Sequence, residues 1–93
     1  MIQSFKDSAT ESVFQGKLPK GFQKEIFKRA IVKLDQLNSA LHLDDLRIPP
    51  GNRLEALKGD MLGFHSIRIN DQWRICFRWE NGNAFEVEIK DYH

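Results

Sequence analysis

Trp73-Arg74-Ile75-Cys76-Phe77-Arg78-Trp79, followed by Glu80-Asn81-Gly82-Asn83 and then by Phe85-Glu86-Val87-Glu88-Ile89-Lys90, reads as two strands joined by a tight turn. In the first run Trp73, Ile75, Phe77 and Trp79 alternate with Arg74, Cys76 and Arg78, the period of two that sends successive side chains to opposite faces of a sheet. Asn81-Gly82 suits the positive φ angles of a two-residue hairpin. In the second run the same alternation predicts Phe85, Val87 and Ile89 on the apolar face, with Glu86, Glu88, Lys90 and Tyr92 on the polar one.

Working back along the chain, residues 64–69 give a third strand, with His65, Ile67 and Ile69 on the apolar face and Ser66 and Arg68 on the other. Asn70-Asp71-Gln72 is a tight connection. Residues 53–57 open the strand-like half, and Lys58-Gly59-Asp60 with Gly63 supplies a turn. Ile48-Pro49-Pro50-Gly51-Asn52 breaks regular structure, and a short helical turn precedes it near Leu43 to Leu46. Over residues 22–39, Phe22, Ile26, Phe27, Ala30, Ile31, Leu34 and Leu37 recur at three- and four-residue spacings, so a helix there carries one apolar stripe. Residues 8–15 predict a shorter helix ending near Gly16, and residues 2–5 a short first strand. Helices first and an antiparallel meander after them define an α+β fold. Two N-terminal helices are expected on the apolar face of the sheet, in a single domain over residues 1–93.

The chain has 93 residues, 41% of them hydrophobic and 29% charged, the balance of an ordinary soluble domain. Its apolar runs are too short to span a membrane. The opening Met1-Ile2-Gln3-Ser4-Phe5-Lys6 lacks the apolar core of a signal peptide, so a cytoplasmic location is expected. Cys76 is the one cysteine, which excludes an intramolecular disulfide and a multi-cysteine zinc site; in a strand it reads as a small, inert side chain.

The net charge of +1 hides an uneven distribution, because five of the six arginines fall between residues 47 and 78, opposed there only by Glu55, Asp60 and Asp71. Arginine grips phosphate with two parallel hydrogen bonds. Arg68, Arg74 and Arg78 share the polar sheet face, which makes that face a candidate platform for RNA phosphates. The alternative is a solvated polar face, common on antiparallel sheets.

No phosphate loop, dinucleotide fingerprint, nucleophile elbow or two-histidine zinc helix is present, and no metal or cofactor is expected. What remains is a dispersed set of Arg, Lys, His, Tyr and acidic residues. Such a set supports metal-free phosphodiester cleavage, with a base for the ribose 2′-hydroxyl, an acid for the departing 5′-oxygen, and cations for the charged phosphorus transition state. Asp91-Tyr92-His93 is the most suggestive cluster: an imidazole such as His93 can exchange a proton near neutral pH, and Tyr92 can hydrogen-bond or stack on a base. His65, on the apolar side of its strand, reads as a packed histidine. His42, beside Asp44 and Asp45, reads as solvated surface, and Trp73 and Trp79 as core.

The segment from Arg47 to Asp60 and its continuation from Gly63 to Phe77 resemble the HigB branch of the RelE/ParE toxin superfamily. The opening Met1-Ile2-Gln3-Ser4-Phe5 and the closing Asp91-Tyr92-His93 agree with that family, so the resemblance covers essentially the whole chain. Its most specific parts are Leu57-Lys58-Gly59-Asp60, Asn70-Asp71-Gln72-Trp73-Arg74 and Asp91-Tyr92-His93. The resemblance implies a RelE-like microbial RNase fold and a ribosome-dependent endoribonuclease that cuts messenger RNA in the decoding site. It also implies neutralisation by a HigA-like antitoxin with a helix-turn-helix, through which the pair acts on operator DNA. Glu55, Lys58, Arg74, Asp91, Tyr92 and His93 are the expected catalytic residues, and Arg53, Arg68 and Arg78 the expected RNA contacts. Some HigB toxins carry histidine where this chain has Glu55. A glutamate can serve as a base there but cannot be a cationic partner, so the proton carrier is left between His93 and Glu55.

Two other functions fit a chain of this kind. A ParE-like toxin of similar fold would bind DNA gyrase without cutting anything. A non-catalytic RNA-binding regulator would use the basic face as its whole function, and would bind RNA in a salt-sensitive way without making new ends.

Overall fold

A computed structural model describes residues 1–92; His93 lies outside the described residues. Helix α1 spans Ser8–Phe14 and α2 spans Lys24–Ser39. Strands β1 (Glu55–Ala56), β2 (Phe64–Arg68), β3 (Trp73–Glu80) and β4 (Asn83–Asp91) form one antiparallel sheet in the order β1-β2-β3-β4. Asp7 caps α1 by accepting a hydrogen bond from the Thr10 amide at 2.7 Å. The helix expected over residues 22–39 begins at Lys24, and its stripe does what the spacing predicts: Ile26, Ala30, Leu34 and Leu37 are buried, Phe27 and Ile31 pack at the margin, and Phe22 packs there from just before the helix. They meet Ile67, Ile75, Phe77 and Val87 from the sheet, and Val13 from α1 completes the cluster. Asn81 (φ 51) and Gly82 (φ 79) make the β3–β4 hairpin, and a Cβ on Gly82 would stand 3.3 Å from the Leu41 carbonyl oxygen.

The structure departs from the expected pattern at three places. The strand expected over residues 53–57 shrinks to Glu55–Ala56, because Arg53 takes a left-handed conformation (φ 46) and a 3-10 turn starts after Lys58. Residues 2–5 do not make a full strand: Ile2 and Phe5 each form one isolated parallel bridge to β4, at Ala84 and Val87. The interruption between them, and the third difference, is a bulge at Glu86 (φ 53) that shifts the β3–β4 register between Cys76 and Arg78. One extra residue flips the parity of everything before it. Ala84, not Phe85, therefore enters the core, and Phe85 faces the polar side opposite Arg78.

The outer edge of β4 does not stay open. Gln3 and Lys6 donate backbone hydrogen bonds to Ala84 and Val87 at 2.8 and 2.9 Å. The Glu86 amide donates to the Ser4 hydroxyl, and the Ile89 amide to Thr10 Oγ1 on α1, each at 2.9 Å. Covering an edge in this way removes a row of groups that would otherwise pair with another chain.

Candidate functional site

The helices cover one side of the sheet and leave the other open, and on that open side the register lines up two rows of side chains. One row runs Glu55, Ser66, Cys76 and Glu88 across the four strands, and the next runs Arg68, Arg74 and Lys90. Arg74 is the hub. Its side chain is 13% exposed; Nε donates to Ser66 Oγ at 2.8 Å, and a terminal nitrogen donates to the Arg53 carbonyl oxygen at 2.7 Å. The same nitrogen lies 3.8 Å from the Glu55 carboxylate, which is 59% exposed. The left-handed turn at Arg53 thus has a use: its carbonyl is one of the acceptors that fix the guanidinium.

Tyr92 closes one side of this group. Its amide donates to the Gln72 carbonyl at 2.6 Å, its hydroxyl lies 3.6 Å from Cys76 Sγ, and the Lys90 ammonium sits 6.0 Å from the ring centroid. Burial pushes the phenol up to about 12, with the contact to the Cys76 thiol adding to the effect. The Cys76 thiol is likewise pushed up, chiefly by burial, in keeping with an inert side chain. At neutral pH Tyr92 is therefore a hydrogen-bond donor and a stacking surface, and it is not a base.

A phenol whose pKa rises on folding from 10.0 to about 12 favours the folded state below pH 10, and that advantage is lost as the pH rises through about 12. The stability of the wild type relative to Tyr92→Phe, read from thermal melts, should therefore fall on going from about pH 9 to pH 12. A constant gap would mean that the phenol is not held in its neutral form by the fold.

The expected site residues divide into those that meet and those that do not. Glu55, Arg74, Tyr92, the backbone of Arg53, and Arg68, which pairs directly across from Arg74, come together. Arg68 is held by Asp71. Lys58 is exposed at the β1 edge, where it precedes the 3-10 turn Gly59–Met61, and makes no ion pair among the described residues. Arg78 stands four residues further along β3, on the order of 13 Å away. It pairs with Glu80 and Glu86 and lies 4.6 Å over the Phe85 ring. Asp91 alternates with Tyr92 to the opposite side of β4, pairs across from Trp73, and accepts a hydrogen bond from Gln72 Nε2 at 3.1 Å. His93 is outside the described residues. Ser66, Cys76 and Lys90 were not expected in the group. Ser66 and Cys76 are buried on the supposedly polar face because Arg74 and Tyr92 engage them, and only their even-numbered positions hinted at this.

His65 stacks on Phe77 with ring centroids 6.0 Å apart, and burial lowers its pKa, so it is a packed neutral histidine as its parity predicts. Among the described residues no three His, Cys, Asp or Glu side chains gather where they could hold a metal ion. No helix among them is long and apolar enough to cross a membrane.

Comparison with known proteins places this architecture. Residues 3–93 match the family model of the RelE-like toxin of type II toxin–antitoxin system HigB. The chain is 38% identical over 94 residues to Toxin HigB-1 of Vibrio cholerae serotype O1, covering 96% of this chain and 95% of that protein. It is 31% identical over 93 residues to Endoribonuclease HigB of Proteus vulgaris, covering 100% of both. Among solved structures, YafQ from E. coli superposes with a TM-score of 0.60 at 12% identity, covering 98% of this chain and 91% of that one. A chain of the YoeB–YefM complex from Staphylococcus aureus superposes with a TM-score of 0.57 at 18% identity, covering 100% of this chain and 98% of that one.

Proposed function

Because the chain belongs to the RelE-like HigB toxins of type II toxin–antitoxin systems, we propose that it is a ribosome-dependent, metal-independent endoribonuclease that cuts messenger RNA in the decoding site. The observation that carries this reading is the anchored guanidinium of Arg74 at the centre of an open polar face, flanked by Glu55 and Tyr92. A cation fixed before the substrate arrives has no reorganisation left to do when charge develops on the phosphate.

In the proposed reaction Glu55 or His93 takes the proton of the ribose 2′-hydroxyl. The 2′-oxygen forms a bond to phosphorus, and the bond from phosphorus to the 5′-oxygen breaks. The proton taken up by the base, or one exchanged for it from water, is delivered to the departing oxygen, leaving a 2′,3′-cyclic phosphate and a 5′-hydroxyl and the base as it began. Arg74 holds the phosphate, with Lys58, Arg53 and Arg68 as further cations, and Tyr92 supports the flanking base. Arg78 would contact RNA only at the far end of the face. Asp91 would act by fixing the end of β4 to Gln72, since its side chain lies on the other side of the strand. The proposed partner is a HigA-like antitoxin with a helix-turn-helix, which would link the pair to operator DNA in the cytoplasm.

The test is to map message ends by primer extension in a reconstituted translation reaction, with and without ribosomes. New ends that need translating ribosomes are expected. If no ends appear and the protein instead blocks gyrase supercoiling, the ParE-like reading replaces this one; salt-sensitive RNA binding without ends would leave a regulator.

A further inference from the structure

On the helical side of the sheet, α2 and the end of β2 enclose an open cavity of about 410 Å³. Lys28, Arg29 and Lys33 line it from α2 and Arg68 from β2, and no carboxylate is among its lining residues. Lys28, Arg29 and Lys33 make no ion pair among the described residues. A second cavity of about 490 Å³ shares Lys28 and Arg29 and extends the groove past Ile26 and Asn70 to Glu25, the one acidic residue lining it among the described residues. The walls between the cations are aliphatic: Val32 is 54% exposed, Ile69 lies at the base, and the stems of the lysines and arginines add to them.

Two of the cations are held in place. Lys33 donates to Oδ1 of Asn52, a fully buried amide that in turn donates to Gln36 and to the Leu46 carbonyl. Burial lowers the Lys33 pKa. Arg68 is tethered to Asp71. A ligand meeting fixed cations gives up less free energy in ordering them.

We infer that this groove docks a short acidic segment of a partner protein, with one apolar side chain seated between Val32 and Ile69 and carboxylates on either side reaching Lys28, Arg29 and Lys33. Charge complementarity calls for an anion, and the aliphatic walls call for a side chain that a phosphate backbone does not carry. RNA has its own platform on the opposite side of the sheet, around Arg74. The inference rests on the toxin–antitoxin reading in one respect, namely that the antitoxin is the natural source of the segment. Arg68 stands at the junction of groove and platform, so a docked carboxylate competes with RNA for it.

The test uses the full chain, 15N-labelled, titrated in low salt with the peptide acetyl-Glu-Asp-Leu-Asp-Glu-amide and separately with hexauridylate. The peptide is expected to shift the amides of residues 28–33 and 68–70, and to bind about tenfold more weakly to Lys28→Glu/Arg29→Glu. Hexauridylate is expected to shift residues 66, 68, 74 and 92 and to leave the amides of residues 28–33 in place. Should the charge-reversal protein not melt cooperatively, Lys28→Gln/Arg29→Gln takes its place. A peptide that leaves the groove amides unmoved overturns the inference. So does hexauridylate that moves the amides of residues 28–33, because the groove would then be part of an RNA track. A protein that binds the peptide as expected but cuts no message overturns the nuclease reading and leaves the groove standing.

Discussion

Arg74→Ala is expected to slow single-turnover message cleavage by about 10²–10³-fold, the usual cost of removing one preorganised donor from a transition-state charge. The size of the effect follows from how the side chain is held. Ser66 Oγ, the Arg53 carbonyl and Glu55 fix the guanidinium from three directions before any substrate binds. Truncation also strands the Ser66 and Arg53 acceptors, which should lower stability by about 1–3 kcal/mol, so a melting curve must accompany the rate. Arg74→Lys separates the two effects. A lysine keeps the charge but cannot bridge Ser66 and the Arg53 carbonyl with one planar fork, so it should recover little of the rate. If Arg74→Ala cleaves within about threefold of the wild type while folding normally, the phosphate is held elsewhere.

The largest effect on stability is expected at Phe77. Its side chain is fully buried, stacked on His65 at 6.0 Å and edge-on to Trp79 at 6.2 Å, in the middle strand pair under α2. Phe77→Ala should cost about 3–5 kcal/mol, through lost burial and the cavity left behind. Against a total of about 5–15 kcal/mol for a domain, that takes a large share of the margin. Urea titration followed by tryptophan fluorescence reads the change as a lower midpoint. Phe85→Ala is the control, because the bulge at Glu86 turns Phe85 to the open face, where the loss should stay small. Equal losses at the two positions would contradict the register described for β3 and β4.

The layers and strand order were legible because the periods are clean. The stripe from Phe22 to Leu37, the alternation from Trp73 to Trp79 and the Asn81-Gly82 turn each answer to one physical constraint. Phe85 was misplaced because a bulge is a backbone event. Glu86 at positive φ has no sequence signature, and one inserted residue reverses the faces upstream of it. The site was legible as a list of residue types more than as a constellation. Parity puts Arg68 and Arg74 side by side, but it says nothing about the long side chain of Arg74 burying Ser66 or about a backbone carbonyl at Arg53 serving as an anchor. Asp91 and Tyr92 are neighbours in sequence and fall on opposite sides of β4, so of these two only Tyr92 faces the Arg74 group.

If this face cuts messenger RNA by attack of the ribose 2′-oxygen, a ribosome-bound message carrying a single 2′-deoxynucleotide on the 5′ side of the mapped cut loses its nucleophile there. Cleavage at that position is expected to disappear, while the unmodified message yields a 2′,3′-cyclic phosphate end. Undiminished cleavage of the deoxy-substituted message would contradict attack by the 2′-oxygen, since the nucleophile would then have to come from outside the RNA.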